Sequence, residues 1–445
     1  MGRWEKVKVG DFLFERKGKY KPSDEALQGL KRIEKIDFRG NFHIGDKSSK
    51  TNMILVKQGD LVISGINVAK GAMGIYDMKD DVVATIHYSS YTFDKEKINV
   101  GYFKRFLKSA EFIRLLNEQI KGGIKTEIKP KHILPLEINL PDIETQNDIV
   151  AKFENVETDI ESLNQEVVSQ QTLLKKLRQS ILQEAIEGKL TASWRKQNPD
   201  IESASVLLEK IKAEKEQLVK EKKIKKQKPL PLIDEDEIPF DIPDSWKWCK
   251  LRDIIYENPR NGYSPKAVDF KTDTKTLKLG AITYGFFDDT QFKYINETID
   301  DSSYLWLKNG DILIQRSNSL DYVGMAGIYS GKDNDFIYPD LIMKVKCSQY
   351  ISKYFLQKSL VSLFTREYFQ KNASGSQKNM PKINQPIVLN TIVALPPLQE
   401  QKEIVKKVES LFKICDELET QINRSEINSQ ILMQAVLKEA FEDNQ

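Results

Sequence analysis

Cysteine and histidine are scarce in this 445-residue chain, with three of each. Cys249, Cys347 and Cys415 lie too far apart in sequence for a C-x-x-C pair, which argues against a zinc module and against a disulfide framework. His43, His87 and His132 have no partner at ligand spacing, so chemistry that needs several imidazoles has little material. No apolar run approaches the ~20 residues that a bilayer-spanning helix requires. The opening Met1-Gly-Arg-Trp-Glu-Lys6 lacks the apolar core of a signal peptide. A cytoplasmic protein of a reducing compartment, with no membrane partner, is expected. An excess of either charge is missing too: 68 Lys and Arg face 65 Asp and Glu.

Several enzyme signatures begin and then fail. Gly40-Asn-Phe-His-Ile-Gly-Asp-Lys-Ser48 resembles a phosphate loop, but Asp46 would set a carboxylate where phosphate must sit. Asn258-Pro-Arg-Asn261 starts like the Asn-Pro-Pro-Tyr motif of amino-methyltransferases. Arg260 replaces its second proline, however, and no glycine-rich loop suits a methyl donor. Glu127-Ile-Lys129 matches half of a nuclease metal site without a well-placed preceding aspartate. No catalytic and no metal-binding residue is assigned, and the chain is read as non-catalytic.

What is present is segregated charge. Residues 1–140 hold 26 basic against 18 acidic side chains, and residues 246–395 hold 20 against 15. Segment 141–188 is net −6, segment 396–445 is net −4, and 189–245 balances 12 against 12. Two basic blocks therefore alternate with two acidic ones. At 40% hydrophobic and 30% charged residues, the chain has the composition of a folded protein, and its length suits two or three domains.

The blocks repeat. At an offset of 255, Leu140-Pro-Asp-Ile-Glu-Thr-Gln146 overlays Leu395-Pro-Pro-Leu-Gln-Glu-Gln401, and Leu177-Arg-Gln-Ser-Ile-Leu-Gln-Glu-Ala-Ile-Glu187 overlays Leu432-Met-Gln-Ala-Val-Leu-Lys-Glu-Ala-Phe-Glu442. The basic blocks repeat more loosely. Lys57-Gln-Gly-Asp-Leu-Val-Ile63 matches Lys308-Asn-Gly-Asp-Ile-Leu-Ile314, and Gly74-Ile-Tyr76 matches Gly327-Ile-Tyr329.

Both acidic blocks read as heptad helices. Ile149, Phe153, Val156, Ile160, Leu163, Val167, Gln170, Leu174, Leu177 and Ile181 are spaced four and three throughout. The second series is Ile404, Val408, Leu411, Cys415, Leu418, Ile422, Ser425, Ser429, Leu432 and Val436. A 3.5-residue average makes the narrow seam that a two-helix coiled coil buries. Each helix begins after a proline (Pro141; Pro396 and Pro397), and the first ends near Gly188, spanning roughly 60 Å. The polar seam positions Gln170, Ser425 and Ser429 are read as setting register. Between the blocks, residues 191–245 read as a linker. It holds a short helix with apolar positions Ala204, Leu208, Ile211 and Leu218, then a lysine run at 220–228 taken as solvated. The basic blocks read as mixed α/β, each with one amphipathic helix near its end, around 102–119 and 351–370.

Two similar basic globules held apart by paired helices suit a rod-like partner with two separated contact regions, and duplex DNA is such a partner. Lys and Arg supply sequence-independent affinity, and hydrogen bonds to base edges supply discrimination. Because the copies differ inside, the two half-sites should differ. Helices of this length match half-sites one to two DNA turns apart. The other reading is a coiled-coil adaptor whose globules bind protein partners; the basic bias of both globules speaks against it.

The chain resembles the specificity subunits of type I restriction–modification systems. The resemblance rests on the paired Leu-Pro-x-x-x-x-Gln helix openings and on Gln179-Ser-Ile-Leu-Gln-Glu-Ala-Ile-Glu-Gly-Lys-Leu190. Thr191-Ala-Ser-Trp-Arg195, Pro229-Leu-Pro-Leu-Ile-Asp-Glu-Asp-Glu-Ile-Pro239 and Gly310-Asp-Ile-Leu-Ile-Gln-Arg-Ser-Asn-Ser319 also carry it. It implies an α+β fold with two mixed α/β target-recognition domains, 1–140 and 246–395, each reading one half of a bipartite asymmetric double-stranded DNA site. It implies that the helices at 141–190 and 396–445 pair as an antiparallel coiled coil and dock methyltransferase (modification) subunits, and through them the restriction/translocase subunit. S-adenosylmethionine and ATP would then belong to the partner subunits, with no cofactor in this chain. The helix-pairing set is Ile149, Phe153, Val156, Ile160, Leu163, Leu177 and Ile181 with Ile404, Val408, Leu411, Leu418, Ile422, Leu432 and Val436.

Candidate DNA contacts come from two aligned loops. The loop after the Gly-Asp strand carries Ser64, Asn67 and Lys70 in the first copy and Arg316, Ser317 and Asn318 in the second, followed by Ser319. Arg suits guanine and Asn suits adenine; the competing role is turn stabilisation by Ser and Asn. The second loop aligns Gly122-Gly-Ile-Lys125-Thr126 with Gly375-Ser-Gln377-Lys378-Asn379, where glycine admits phosphate and the lysines supply charge.

Overall fold

The computed structural model describes residues 4–37, 40–65, 72–119, 130–227, 231–374 and 380–441. The chain divides into two compact units: residues 1–169 together with 422–445, and residues 170–421. The fold is α+β. Among the described residues no helix is long and apolar enough to cross a membrane, and no cluster of His, Cys, Asp and Glu is fit to hold a metal ion.

In the first unit, one four-stranded sheet runs Leu13–Glu15, Tyr88–Phe93, Leu61–Ser64, Met73–Ile75. A second runs Phe42–Gly45, Arg32–Ile36, Val82–Thr85, Met53–Val56. Strand Trp4–Lys8 pairs antiparallel with Glu137–Pro141, so the two ends of the globule meet. In the second unit, Lys247–Lys250 pairs antiparallel with Ile392–Leu395 in the same way. Its four-stranded sheet runs Arg260–Asn261, Ile342–Val345, Ile312–Gln315, Ala326–Ile328. Where one amphipathic helix was expected per globule there are two, Val100–Phe106 with Ala110–Gln119 and Lys353–Val361 with Leu363–Asn372. A buried serine sits at each break. Ser109 Oγ donates to the Phe106 carbonyl and Ser362 Oγ to the Ser359 carbonyl, a bond from side chain to turn that competes with the helix ladder.

The two long helices, Ile143–Ile186 and Leu398–Phe441, have 44 residues each. Within each unit they run antiparallel. In the first, Phe153 stacks on Phe441 and Ser429 Oγ meets Asn164 Oδ1 at 3.1 Å. In the second, Arg178 reaches Asp416 at 2.6 Å and lies over the Phe412 ring, while Lys407 Nζ donates to the Leu190 carbonyl. Gly188 ends the first helix at φ +75°, a conformation that favours glycine.

The seam is narrower than its heptads suggest. Phe153, Ile160, Val167, Leu174 and Ile181 are buried at every seventh position, as are Val408, Cys415, Ile422 and Ser429 on the second helix. The alternate positions decline along each helix. Ile149 and Val156 are half-buried, but Leu163 and Leu177 are exposed; Ile404 is buried and Leu411 half-buried, but Leu418 and Leu432 are exposed. Val436 is half-buried against the core of the first unit.

The segment expected to be a linker is part of the second unit. Its helix, Ala204–Lys220, buries Ala204, Leu207 and Ile211, one register away from the expected Leu208. Glu214 accepts hydrogen bonds from Tyr256 and Ser348, and Lys215 donates to the Arg252 carbonyl. Farther on, the lysine run is largely exposed up to Gln227.

Candidate nucleic-acid interface

The same small device recurs at the Gly-Asp turn that precedes the first candidate loop in each globule. In the first unit Asp60, 2% exposed, accepts the Lys57 amide at 3.0 Å through Oδ2, and its carbonyl accepts the Tyr76 amide at 2.8 Å. In the second, Asp311, 4% exposed, accepts the Lys308 amide at 2.8 Å, and its carbonyl accepts the Tyr329 amide at 2.9 Å. Gly59 and Gly310 turn the chain beforehand at φ +87° and +92°. The buried carboxylates are neutralised differently. Arg16 grips Asp60 with two hydrogen bonds of 2.6 and 2.7 Å, which raise the arginine's own pKa. Lys344 lies 3.5 Å from Asp311; burial pulls its pKa down while Asp311 opposes the shift. A buried charge left unpaired is costly, so each aspartate brings its cation with it.

A second recurring device joins each long helix to its globule. Gln146 Nε2 donates to the Pro141 carbonyl and its Oε1 accepts the Asn99 amide, where the helix Val100–Phe106 is capped. Gln401 Nε2 donates to the Pro396 carbonyl and its Oε1 accepts the Ser352 amide, the cap of Lys353–Val361. These are the glutamines of the two Leu-Pro-x-x-x-x-Gln openings. Both are fully buried.

In the second unit the described residues on either side of 375–379 meet the first candidate loop. Ser317 bridges Lys382, and Lys382 bridges Ser374, so the segments flanking 375–379 lie beside 316–319. The individual residues divide. Arg316 is half-exposed, its amide bonded to the Leu341 carbonyl and its carbonyl to the Ile383 amide. Ser317 is fully buried, which corrects its place among the expected base contacts: its hydroxyl does not face solvent. Asn318 serves the turn, donating to Gln315 Oε1 at 2.9 Å and accepting from the Ser319 amide at 2.8 Å. In the first unit Ser64 is 8% exposed, at a strand end paired with Tyr88. Asn67, Lys70, Lys125, Thr126, Gln377, Lys378 and Asn379 lie outside the described residues.

Among the described residues, Tyr284 and Phe286, absent from the sequence-based candidates, are the two most exposed aromatic side chains. Tyr284 is 70% and Phe286 61% exposed, with ring centroids 6.2 Å apart and planes at 25°. Their turn and the 316–319 loop share a brace. Gln315, fully buried, donates through Nε2 to the Leu279 carbonyl at 2.8 Å and to Thr283 Oγ1 at 2.7 Å, while its Oε1 accepts from Asn318.

Residues 243–428 match the family model for the type I restriction modification DNA specificity domain. The specificity subunit of the type I restriction enzyme EcoEI from Escherichia coli is 31% identical over 255 residues, 56% of this chain and 42% of that protein. The EcoAI specificity subunit, also from Escherichia coli, is 34% identical over 254 residues, 56% of this chain and 41% of that one. The chain thus spans about two fifths of the length of these two relatives. A solved chain from work on complex assembly and conformational transition of the type I R-M system superposes with a TM-score of 0.66. It is 15% identical and covers 99% of this chain and 97% of that one, which establishes a shared fold.

Proposed function

From the match of residues 243–428 to the DNA specificity domain, we propose that the chain belongs to the type I restriction–modification specificity subunits and is the non-catalytic DNA-recognition subunit of such a system. Each globule reads one half of a bipartite, asymmetric site in double-stranded DNA. The long helices act as an antiparallel coiled-coil spacer that sets the distance between half-sites. Its second duty is to dock methyltransferase subunits, which bring S-adenosylmethionine, and through them the ATP-driven restriction subunit. An internal duplication explains why the Gly-Asp turn and the capping glutamine recur with the same hydrogen bonds.

The observation that carries the reading is the DNA specificity domain at 243–428, which contains the braced loops of the second unit. It favours DNA over the protein-adaptor alternative. The half-used seam supports the docking role: Leu163, Leu177, Leu418 and Leu432 leave apolar surface on the helices, and such surface marks association sites.

The test is to co-express the chain with its methyltransferase subunits in a host without adenine methylation and map methylated adenines. A split motif with two unlike halves is expected. Methylation by the purified chain alone, or an unchanged pattern when the chain is omitted, overturns the proposal.

A further inference from the structure

We propose that Tyr284 and Phe286, with Tyr322 at their edge, form a preorganised aromatic wedge. The second globule presses it against duplex DNA, where it stacks on bases at a distorted step beside the half-site. This rests on the DNA-binding reading above and adds to it a readout of base-step deformability.

Exposure is the first ground. Aromatic side chains carry large apolar surface and are usually covered, yet Tyr284 and Phe286 stand adjacent and open, and Tyr322 meets Tyr284 edge-on at 6.4 Å. Leu320, 52% exposed, lies two residues from Tyr322. Rigidity is the second. Besides the Gln315 brace, buried Gln357 donates to the Gly285 carbonyl and to the Ala326 carbonyl, both at 2.9 Å. Buried Arg366 holds the Asp321 and Val323 carbonyls, and Gln370 holds that of Leu320. Three polar side chains from the underlying helices and a fourth from the sheet therefore fix both loops from below. A flexible apolar loop would collapse onto the surface; this one is held out.

The neighbourhood selects the partner. The 279–287 turn has no charged residue, and the 315–325 loop has Arg316 against Asp321. Asp288, just past the turn, spends its carboxylate on the Thr290 amide and hydroxyl. Arg316 follows Gln315 of the shared brace and Lys382 pairs with Ser317, both within a block of net basic charge, as binding along phosphates requires. Apolar wedges that enter a duplex partly unstack one base step and kink it, and pyrimidine–purine steps yield most easily. The geometry thus points to a preference for such a step at the edge of the second half-site.

The test uses the full chain and duplexes selected from a random pool by the wild type. Affinity is measured by fluorescence anisotropy over a range of salt, and 2-aminopurine is placed in turn at each position of the selected site. The wild type should brighten 2-aminopurine at one step. Tyr284→Ala/Phe286→Ala should bind about tenfold more weakly, lose that signal, and keep the salt slope, because the rings release no counterions. Tyr284→Phe/Phe286→Tyr should keep both affinity and signal. Arg316→Ala should shallow the salt slope while the signal persists. If the alanine pair is poorly folded, Tyr284→Gln/Phe286→Gln keeps side-chain length without an apolar wedge and should still lose the signal.

Wild-type affinity and signal in the alanine or glutamine pair would overturn the wedge and leave DNA recognition standing. So would unaltered DNA binding with loss of a co-purifying protein, which would make the patch a protein surface. Failure of the wild type to select any duplex would overturn both readings.

Discussion

Glu400 illustrates how much one buried side chain can hold. It is fully buried at the start of the second long helix and accepts hydrogen bonds from Thr191 Oγ1 at 2.7 Å and Trp246 Nε1 at 2.8 Å, with Arg195 as its ion-pair partner. Those three residues come from the two ends of the 191–246 segment, so one carboxylate fastens both. Glu400→Ala leaves a guanidinium and two polar groups without their acceptor and should cost about 3 kcal/mol of second-unit stability, read by urea denaturation. Lys215 in the same segment should impose a pH dependence. Burial holds its ammonium down at about 8, against 10.5 ordinarily. Between those values the unfolded chain keeps a proton that the folded chain has released, so stability rises with pH across that window; below about 8 the penalty is constant. Lys215→Met should abolish this rise, and the difference in unfolding midpoint between wild type and variant, followed from pH 7 to 10.5, measures it. The sequence placed neither residue. Glu400 aligns with Thr145 in the other copy, so the repeat itself conceals its role.

The long helices were legible from spacing alone, because a seven-residue apolar recurrence has no other stable use in a chain this polar. Which half of the seam is covered was not, since covering Leu163 or Leu418 depends on how close the opposite helix lies, not on its own spacing. The split of the terminal helices at Ser109 and Ser362 was equally hidden: the apolar pattern continues across a break that one side-chain hydrogen bond makes. The last turn of the second helix has a further task. Phe441, 2% exposed, packs edge-on against Tyr102 and Phe106 and stacks on Phe153, in the core of the first unit. Phe441→Ala should therefore destabilise that unit by about 3–5 kcal/mol. Hydrogen-exchange mass spectrometry should show protection lost around 98–112 while strand Ile312–Gln315 is unaffected. Uniform loss across both units would refute this assignment.

At the scale of the whole molecule, the proposed spacer makes a geometric prediction. Buried seam residues recur every seven positions, so inserting seven residues into each long helix at matched positions keeps the seam in phase and adds about 10.5 Å. Methylation mapping should then return the same two half-sites with a longer gap. An unchanged gap would mean that the helices do not set it. Four-residue insertions rotate the seam by roughly 40° and should cost stability as well.

Sequence by itself determined the plan of two basic globules and two long acidic helices, because apolar periodicity and charge are properties of the chain that folding cannot rearrange. It also showed the paired Gly-Asp turns and Leu-Pro-x-x-x-x-Gln openings as repeats, but not the distant partners that Asp60, Asp311, Gln146 and Gln401 hold. Only the tertiary structure decided that the 191–245 segment belongs to the second unit, that the Ser317 hydroxyl is buried, and that Tyr284 and Phe286 stand out. Burial, in each of these cases, depends on residues far away along the chain, and no local pattern encodes which of them arrive.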